Sequence, residues 1–281
     1  MDEIKKTWLD FFQKEETEEE WWERKKAVFR DRDAEIVKIS GEGHLFERMR
    51  HSNQSFYQYL LHLSFLVKQR GQFIREEQVV PYRFQLKNGR VTEHHVVERQ
   101  DSTNEEPTMS SENKRDPAET RFSYNRHAAV QYAERWWNSY NPAYRKFDVD
   151  CTNFISQCLY AGGAPMRGAP NRGEGWWYQG DNWSYSWAVA HSLRWYLSGS
   201  QAGLKGKEVE SASNLLLGDV ICYDFQGDGR WDHNTIVVAM DAYGMPLVNA
   251  HTDNSRHRYW SYEDSTAWTP EIQYKFFRIG E

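Results

Sequence analysis

Along the first hundred residues, the spacing of hydrophobic positions changes from helical to strand-like. The stretch from Thr7 to Asp33 carries aromatic residues at intervals of three to four positions, which predicts an amphipathic helix. Asn88-Gly89 follows, between two runs of alternating character, and this dipeptide is a strong signal for a β-hairpin. The strand-like runs predict an antiparallel sheet and read AEIVKIS, SFYQYLLHLSFLV, QVVPYRFQL and VTEHHVVE.

The pattern then changes twice more, which predicts two domains joined by a linker. Residues 100–121 are polar, contain two prolines and offer almost nothing to bury, which is typical of a flexible linker. We therefore expect a small α+β domain with an antiparallel sheet over 1–99, whose role the sequence does not indicate. A polar linker over 100–121 and a second domain over 122–281 complete the chain.

The second domain begins with helical patterns and continues with strands. Helices are predicted for SYNRHAAVQYAERWWNSY, DCTNFISQCLYAGG and SYSWAVAHSLRWYLSG, with a loop rich in Gly and Trp before the last. Strands are predicted for LGDVICYDF, HNTIVVAM, MPLVNAHT and EIQYKFFRI. Because the helices precede a strand meander, the order indicates an α+β fold rather than alternating βαβ units.

Composition narrows the class of protein. With 281 residues, of which 39% are hydrophobic and 27% charged, the chain suits a globular protein. Its net charge of −6 and its lack of a dense Lys/Arg run argue against nucleic acid as a partner. The longest apolar runs are too short to insert in a membrane. No signal peptide is recognisable, so we expect a cytoplasmic or spore-associated protein, or an exported one whose leader has been removed.

The sequence predicts no metal site and no cofactor. Three cysteines without a C-x-x-C pair form neither a disulfide framework nor a zinc site. His94 and His95 are neighbours in a strand and are expected to point to opposite faces. The segment DFQGDGRWD has spaced carboxylates, but it lacks the closing glutamate of a calcium loop, and Asp-Gly favours a tight turn.

Cys151 is the candidate nucleophile. Asp150 is a good N-cap residue and Gly162-Gly163 a good helix end, so Cys151 falls at the first helical position. There the free N–H groups and the helix dipole stabilise a thiolate and also suit an oxyanion. We expect Asp150 and Thr152, on either side of the cysteine, to form this helix cap and oxyanion site. The alternative is a buried and inert cysteine, which suits Cys158 and Cys222 well.

A thiol nucleophile needs a base, usually a histidine distant in sequence. His233 lies at the start of a predicted strand, whereas the alternative candidate, His191, lies within a predicted helix. A third group should orient the imidazole. Asn249 and His251 lie two apart on one face of the next strand, and folding the hairpin about 242–243 places Asn249 near residue 236 and His251 near residue 234. Asn249 is preferred because its amide oxygen accepts a proton without adding charge, and His251 remains open.

Three motifs carry a resemblance to a known family. DCTNFISQ at 150–157, GDVICYDFQGDGRWDH at 218–233 and VNAHT at 248–252 resemble the bacterial putative amidase domain family. That family is grouped with the papain-like cysteine hydrolases, beside the NlpC and CHAP cell-wall enzymes. The resemblance implies a papain-like domain in which the cysteine helix packs on an antiparallel sheet. It also implies Cys151 as nucleophile and His233 as base, with Asn249 or, from the family's His-Thr motif, His251 as third residue.

The resemblance further implies hydrolysis of an amide bond in peptidoglycan stem peptides or in the muramoyl–peptide link. The partner would then be a peptide or a peptidoglycan fragment. Four aromatic residues after the cysteine helix are expected either to wall a substrate groove or to cap the core: Trp176, Trp177, Tyr178 and Trp183. Two alternatives use the same fold, namely a catalytically inactive wall- or glycan-binding module and an acyltransferase with the same Cys–His pair.

Overall fold

The computed structural model describes residues 2–14, 20–51, 54–88, 90–97 and 122–280. The predicted linker at 100–121 lies outside these residues. The chain divides into two compact units, one formed by residues 1–100 with 262–266 and the other by residues 101–261 with 267–281. The short segment 262–266 therefore belongs to the first unit, which no local pattern in the sequence indicates.

The first unit packs two helices on an antiparallel meander. The single predicted amphipathic stretch forms two helices, α1 (Asp2–Gln13) and α2 (Glu20–Asp31). The strands pair in chain order: β1 (Ala34–His51), β2 (Gln54–Gln69), β3 (Gln72–Lys87) and β4 (Arg90–Val96). The predicted hairpin is confirmed, because Lys87 pairs with Arg90 and Asn88 has a φ of 51°.

Alternate residues of β2 form the core of the first unit. The odd-numbered side chains from Tyr59 to Val67 are at most 3% exposed, and they pack against Trp22 and Phe29 of α2. A cation is buried beside this core, since the Lys25 side chain is 2% exposed and pairs with Glu76 and Asp264. Asp264 comes from the segment 262–266, which explains how that segment is held in this unit.

The two adjacent histidines of β4 point to different environments, as predicted. The His94 Nε2 lies 2.7 Å from the hydroxyl of Tyr59, which also accepts the Trp8 indole N–H at 2.7 Å. His95 instead bonds to Arg83 at the surface. Burial lowers the pKa of His94 to about 4, so its imidazole is neutral and can accept the Tyr59 proton.

The second unit places helices against a six-stranded antiparallel sheet. Its helices are α3 (Arg126–Trp136), α4 (Cys151–Ala161), α5 (Tyr185–Ala188) and α6 (Ala190–Gly199). A small hairpin joins β5 (Tyr178–Gln179) to β6 (Asn182–Trp183). The sheet strands are β7 (Gly206–Val209), β8 (Val220–Asp224), β9 (His233–Met240), β10 (Pro246–Ala250), β11 (Asn254–Tyr259) and β12 (Gln273–Ile279), in the spatial order β11-β10-β9-β8-β12-β7.

This architecture confirms the α+β class predicted from the sequence. All the sheet pairings of the second unit are antiparallel, and the papain-like assignment remains a prediction. Four strands were not foreseen: β7 and β11 of the sheet, and the short β5 and β6, which lie in the segment predicted as a loop. The predicted helix at 184–199 is split at Val189, whose extended backbone separates α5 from α6.

Helix α4 forms the centre of the second core. Phe154, Ile155, Cys158 and Leu159 are fully buried and belong to one cluster with β8 and β9 side chains that include Cys222 and Ile236. Burying each large apolar side chain contributes roughly 2 kcal/mol to folding. The inert role predicted for Cys158 and Cys222 agrees with this position, because burial raises the pKa of both thiols.

The segment DFQGDGRWD connects β8 and β9 in a hairpin, as predicted, but its loop spans residues 225–232 and is longer than the tight turn expected. The Asp224 carboxylate accepts the backbone N–H groups of Gly227, Asp228 and Gly229 at 2.7, 3.3 and 2.7 Å. Among the described residues there is no group of three or more His, Cys, Asp or Glu side chains arranged to hold a metal ion. Within the same residues, no helix has the length and apolar character needed to cross a bilayer.

Candidate active site

Helix α4 begins and ends where the sequence predicted. Its first turn closes with the Phe154 N–H donating to the Asp150 carbonyl at 3.0 Å. At the other end Gly163 has a φ of +91°, a conformation that costs glycine little and ends the helix. Cys151 is the first helical residue and is 1% exposed.

Two residues contact the Cys151 sulfur. The Thr152 hydroxyl lies 3.6 Å from Sγ and accepts the Asn234 side-chain N–H at 3.0 Å. Since that amide occupies a lone pair of the hydroxyl, the hydroxyl proton is free to point at the sulfur. The backbone N–H of Asn234 also donates to the sulfur. A chain of donors thus runs from β9 to the tip of α4.

These donors do not make Cys151 an acidic thiol. Burial raises the pKa of the Cys151 thiol, and the bonds from Thr152 and Asn234 lower it by less. The stabilisation of a thiolate expected from the helix tip is therefore outweighed by desolvation, because an ion in an apolar interior loses its hydration. The sulfur needs a base or a bound substrate before it can react.

Two buried oxygen atoms near the sulfur lack partners among the described residues. They are Oδ1 of Asn234, a residue with 0% exposure, and Oγ1 of Thr252. The Thr252 hydroxyl faces the sulfur and weakly lowers the pKa of the Cys151 thiol. Buried polar atoms are normally hydrogen-bonded, so these two oxygens mark a place where further polar groups are accommodated. Sequence analysis missed both residues, although each directly follows a histidine that it singled out.

Asp150 occupies the N-cap position, but its carboxylate does not cap the helix. Its Oδ1 accepts the Phe147 backbone N–H at 3.0 Å and the Asn153 side-chain N–H at 2.9 Å. Its Oδ2 lies 2.8 Å from Nδ1 of His251. The predicted cap is corrected accordingly, because the histidine and the preceding loop take the carboxylate oxygens that the helix N–H groups would have used.

His251 lies on the cysteine side of the sheet. Its ring stacks on Phe154 with a centroid separation of 4.0 Å, and its Nε2 lies 2.8 Å from the Trp136 carbonyl oxygen. Both ring nitrogens of His251 therefore lie within hydrogen-bonding distance of oxygen atoms, which fixes the orientation of the ring between Asp150 and Trp136.

His233 is the first residue of β9 and lies on the other face of that strand. Asn234 points to Thr152 on α4, and neighbouring side chains in a strand alternate. The His233 ring accordingly packs near Tyr223 and Phe225, with centroid separations of 5.7 and 6.1 Å. Burial, with a contribution from the charge of Arg258, lowers the pKa of His233 to about 3. At neutral pH its imidazole is therefore uncharged.

Asn249 has the predicted register but a different side-chain role. It pairs with Ile236, as the hairpin predicted. Its amide, however, donates to Glu134 at 2.9 Å and accepts the His257 backbone N–H at 2.9 Å. The expectation that Asn249 orients His233 is corrected on this point, since its amide oxygen and nitrogen are directed to α3 and β11.

Glu134 is the charged centre of the group that holds Asn249. Burial alone raises the pKa of this carboxyl, but hydrogen bonds from His257 and Arg256 lower it to about 2. Its oxygens lie 3.1 Å from Nε2 of His257 and 2.8 Å from Nε of Arg256. This ionised cluster ties α3 to β10 and β11.

The four aromatic residues considered for a groove divide into two pairs. Trp176 and Trp177 are 0% and 2% exposed, and their indole N–H groups bond to Ser156 and to backbone carbonyls. They belong to the core, the second of the two roles expected for them. Tyr178 and Trp183 are partly exposed at the β5–β6 hairpin, where they can contact a bound molecule.

Fold and site together define an α+β domain built around a cysteine at a helix tip, with a buried Asp–His pair beside it. Residues 123–277 match the family described as "Putative amidase domain", and the chain belongs to this family. Over 264 residues it is 46% identical to the uncharacterized protein YhbB of Bacillus subtilis (strain 168), covering 92% of this chain and 85% of that protein. It is 34% identical over 125 residues to the uncharacterized protein YjcM of the same strain, covering 41% of this chain and 28% of YjcM. No solved structure matches the chain.

Proposed function

We propose that this protein is a cysteine-dependent hydrolase of amide bonds, with Cys151 as the nucleophile. The observation that carries the proposal is the donor chain from Asn234 through Thr152 to the sulfur at the first residue of α4. Such donors stabilise a thiolate as it forms, and the N–H groups of a first helical turn have no partners within the helix. Membership of the amidase family supports the amide bond as the target.

In the proposed reaction, His233 accepts the proton of Cys151 and the thiolate attacks the amide carbonyl carbon. The new C–S bond moves the carbonyl electrons onto oxygen, where N–H groups of the first turn of α4 stabilise the charge. The intermediate collapses, the C–N bond breaks, and the imidazolium protonates the leaving amine. Water then hydrolyses the thioester, which releases the acid and restores the thiol.

We assign the base to His233 because the resemblance of the motifs implies it and because its imidazole is uncharged at neutral pH. The Cα atoms of neighbouring residues are 3.8 Å apart, and the neighbour of His233 donates its backbone N–H to the sulfur. Because the His233 side chain lies on the face of β9 opposite to the sulfur, the backbone at the start of β9 has to turn for the imidazole to reach the thiol. Catalytic hydrogen bonds commonly tighten only when substrate binds.

We assign His251 and Asp150 to positioning rather than to proton transfer. Their contact joins the residue before the nucleophile to the end of β10, and Trp136 of α3 holds the other side of the ring. The resemblance of the motifs to papain-like enzymes supports a papain-like arrangement of this domain. It also supports peptidoglycan as the substrate, through an amide in the stem peptide or at the muramoyl–peptide link.

The test is digestion of purified peptidoglycan by the full-length protein, with products identified by mass spectrometry. We expect new amino termini or free stem peptides from the unmodified protein and none from Cys151→Ala. His233→Ala should abolish hydrolysis, whereas His251→Asn should reduce kcat without moving the acidic limb of the pH profile. His127→Ala, an exposed histidine of α3, is the matched control. Full activity of Cys151→Ala would overturn the proposal.

One observation favours the alternative of a catalytically inactive binding module. The Cys151 sulfur is almost fully buried and the pKa of its thiol is raised, as for a structural cysteine. An inactive module would sediment with insoluble peptidoglycan, release no products, and bind equally well as Cys151→Ala. Peptidoglycan products that are released by the unmodified protein but not by Cys151→Ala decide in favour of the hydrolase.

A further inference from the structure

Two cations flank one indole ring beside the cysteine helix, and a third cation adjoins them along the chain. The guanidinium groups of Arg145 and Arg172 lie 5.3 and 5.1 Å from the ring centroid of Trp183. Lys146 lies next to Arg145, with its ammonium 4.1 Å from the ring centroid of Tyr140. All three cationic residues are exposed, whereas Trp183 is partly buried. We call Arg145, Lys146, Arg172 and Trp183 the cationic cluster.

None of the ion pairs identified among the described residues uses a cation of this cluster. Arg145 makes only ring contacts through its guanidinium, and the Arg172 Nε donates to the Trp183 carbonyl at 3.1 Å. The protein as a whole carries a net charge of −6, opposite in sign to the charge of this cluster. Like charges held at one ring repel each other, so the cluster gains stability when an anion binds.

The cluster is connected to the nucleophile through short contacts. The Arg145 carbonyl accepts the side-chain N–H of Asn153, a residue of the first turn of α4, at 2.9 Å. The Phe147 ring packs edge-on against Trp183 at 4.9 Å, and its backbone N–H donates to Asp150. Tyr140 packs against His251 with a centroid separation of 4.9 Å. A substrate placed at Cys151 would therefore extend over these cations.

We propose that the cationic cluster binds a carboxylate of the substrate, so that the protein acts on acidic peptides. The inference rests on the proposed amide hydrolysis and names its substrate class. Guanidinium groups match carboxylates with two parallel hydrogen bonds, and the partly exposed Trp183 ring offers an apolar surface for the adjoining peptide chain. Lys146 adds a third positive charge on the same side.

Binding can be measured apart from hydrolysis with the full-length Cys151→Ala protein. The probes are acetyl-Ala-Glu-Ala-amide and acetyl-Ala-Gln-Ala-amide, which differ by a single carboxylate. The readout is the indole N–H resonance of Trp183, assigned with Trp183→Phe. We expect the glutamyl peptide to bind about fivefold more tightly at low salt and to lose this advantage as the salt concentration rises.

Substitutions of the two arginines test whether the preference for the glutamyl peptide arises at the cationic cluster. Arg172→Gln and Arg145→Gln should each reduce the preference for the glutamyl peptide, and the double variant should remove it. Arg48→Gln is the matched control, because Arg48 is also exposed and lies over a ring, that of Tyr57 at 5.6 Å, in the other unit. Equal affinity for both peptides, or equal loss in Arg48→Gln, overturns the proposal. Competition by inorganic phosphate as strong as by acetate would show a general anion site and overturn the assignment to carboxylates.

The outcome is independent of the proposed catalysis. Preference for the glutamyl peptide without hydrolysis by the unmodified protein would preserve the carboxylate site and overturn the hydrolase. Hydrolysis of peptidoglycan with equal binding of the two probes would preserve the hydrolase and overturn the carboxylate site.

Discussion

The Nδ1 of His251 lies 2.8 Å from Oδ2 of Asp150, the residue directly before Cys151. The two residues are 101 positions apart in the chain and both are almost fully buried. A carboxylate next to a thiol opposes its ionisation, and the charge of Asp150 raises the pKa of Cys151 by less than burial does.

We expect His251→Asn to destabilise the protein by about 3 kcal/mol, because it leaves a buried carboxylate without its partner. His127→Asn, at an exposed position of the same unit, should change stability by less than about 0.5 kcal/mol. Urea unfolding followed by fluorescence measures both. In a double-mutant cycle, Asp150→Asn should cost much less in the His251→Asn background than alone. Additive costs would contradict a coupled pair.

The rate at which Cys151 is alkylated should depend on the hydrogen bond from the Thr152 hydroxyl to the sulfur. We expect iodoacetamide to label Cys151 slowly at neutral pH and faster as the pH rises, because burial raises the pKa of the thiol. Thr152→Val removes a donor and should slow labelling about tenfold, whereas Thr152→Ser should retain the native rate. Peptide mapping by mass spectrometry gives the rate at each cysteine. Equal rates for Val and Ser would show that the hydroxyl does not act on the sulfur.

Stability should depend on pH through His233. Its pKa is lowered from 6.5 to about 3 in the folded protein, so between these values the unfolded chain binds more protons. Stability is therefore lost as the pH falls from about 6.5 towards 3, by up to about 1.4 kcal/mol per pH unit. Urea unfolding across this range should show a shallower slope for His233→Gln.

Other groups titrate near this range. Burial raises the pKa of Asp232 from 3.8 to about 6, so between these values its contribution to stability opposes that of His233. His94, with a pKa lowered to about 4, acts in the same direction as His233 in the first unit, so His94→Gln separates its contribution. Glu134, with a pKa lowered to about 2, contributes stability that is lost only below about pH 4.5. A slope that is unchanged in His233→Gln would mean that this imidazole does not titrate as described.

Replacing the buried Lys25 should destabilise the protein far more than replacing its partly exposed neighbour, Lys26. Lys25→Met removes the buried cation that pairs with the Glu76 and Asp264 carboxylates, and we expect a loss of about 3 kcal/mol or more. Lys26 pairs with Glu23 at 2.8 Å on a partly exposed surface, so Lys26→Met should cost less than about 1 kcal/mol. Chemical denaturation compares the two variants. Similar losses would contradict the importance of burial.

A substantial part of the fold follows from local patterns. The C-terminal end of α4 is set by Gly162-Gly163, and the β3–β4 hairpin by Asn88-Gly89, because helix ends and tight turns depend on a few consecutive residues. The start of α4 at Cys151 was predicted correctly, although the Asp150 carboxylate does not cap the helix. The register of Asn249 opposite Ile236 follows from the short turn before β10. β11 was missed because its sequence, NSRHRY, is polar and becomes a strand only by pairing with β10.

The candidate site shows where local patterns stop being informative. Cys151 was recognisable because its position in the helix is a local property. The partners of Asp150, His233 and Asn249 were not, because each is selected by packing between segments far apart in the chain, and one position of difference along a strand turns a side chain to the other face. The same limit applies to Trp176 and Trp177, whose aromatic character suits a groove and a core equally well.

By itself, the sequence determined the class of fold, the limits of the cysteine helix and the strands that frame it, since these depend on periodicity, caps and turns. Only the tertiary structure decided that His251 binds Asp150, that Asn234 and Thr152 contact the sulfur, and that desolvation outweighs the helix dipole at Cys151. Hydrogen-bond partners and burial arise from the simultaneous packing of distant segments, which no local stretch of the chain specifies.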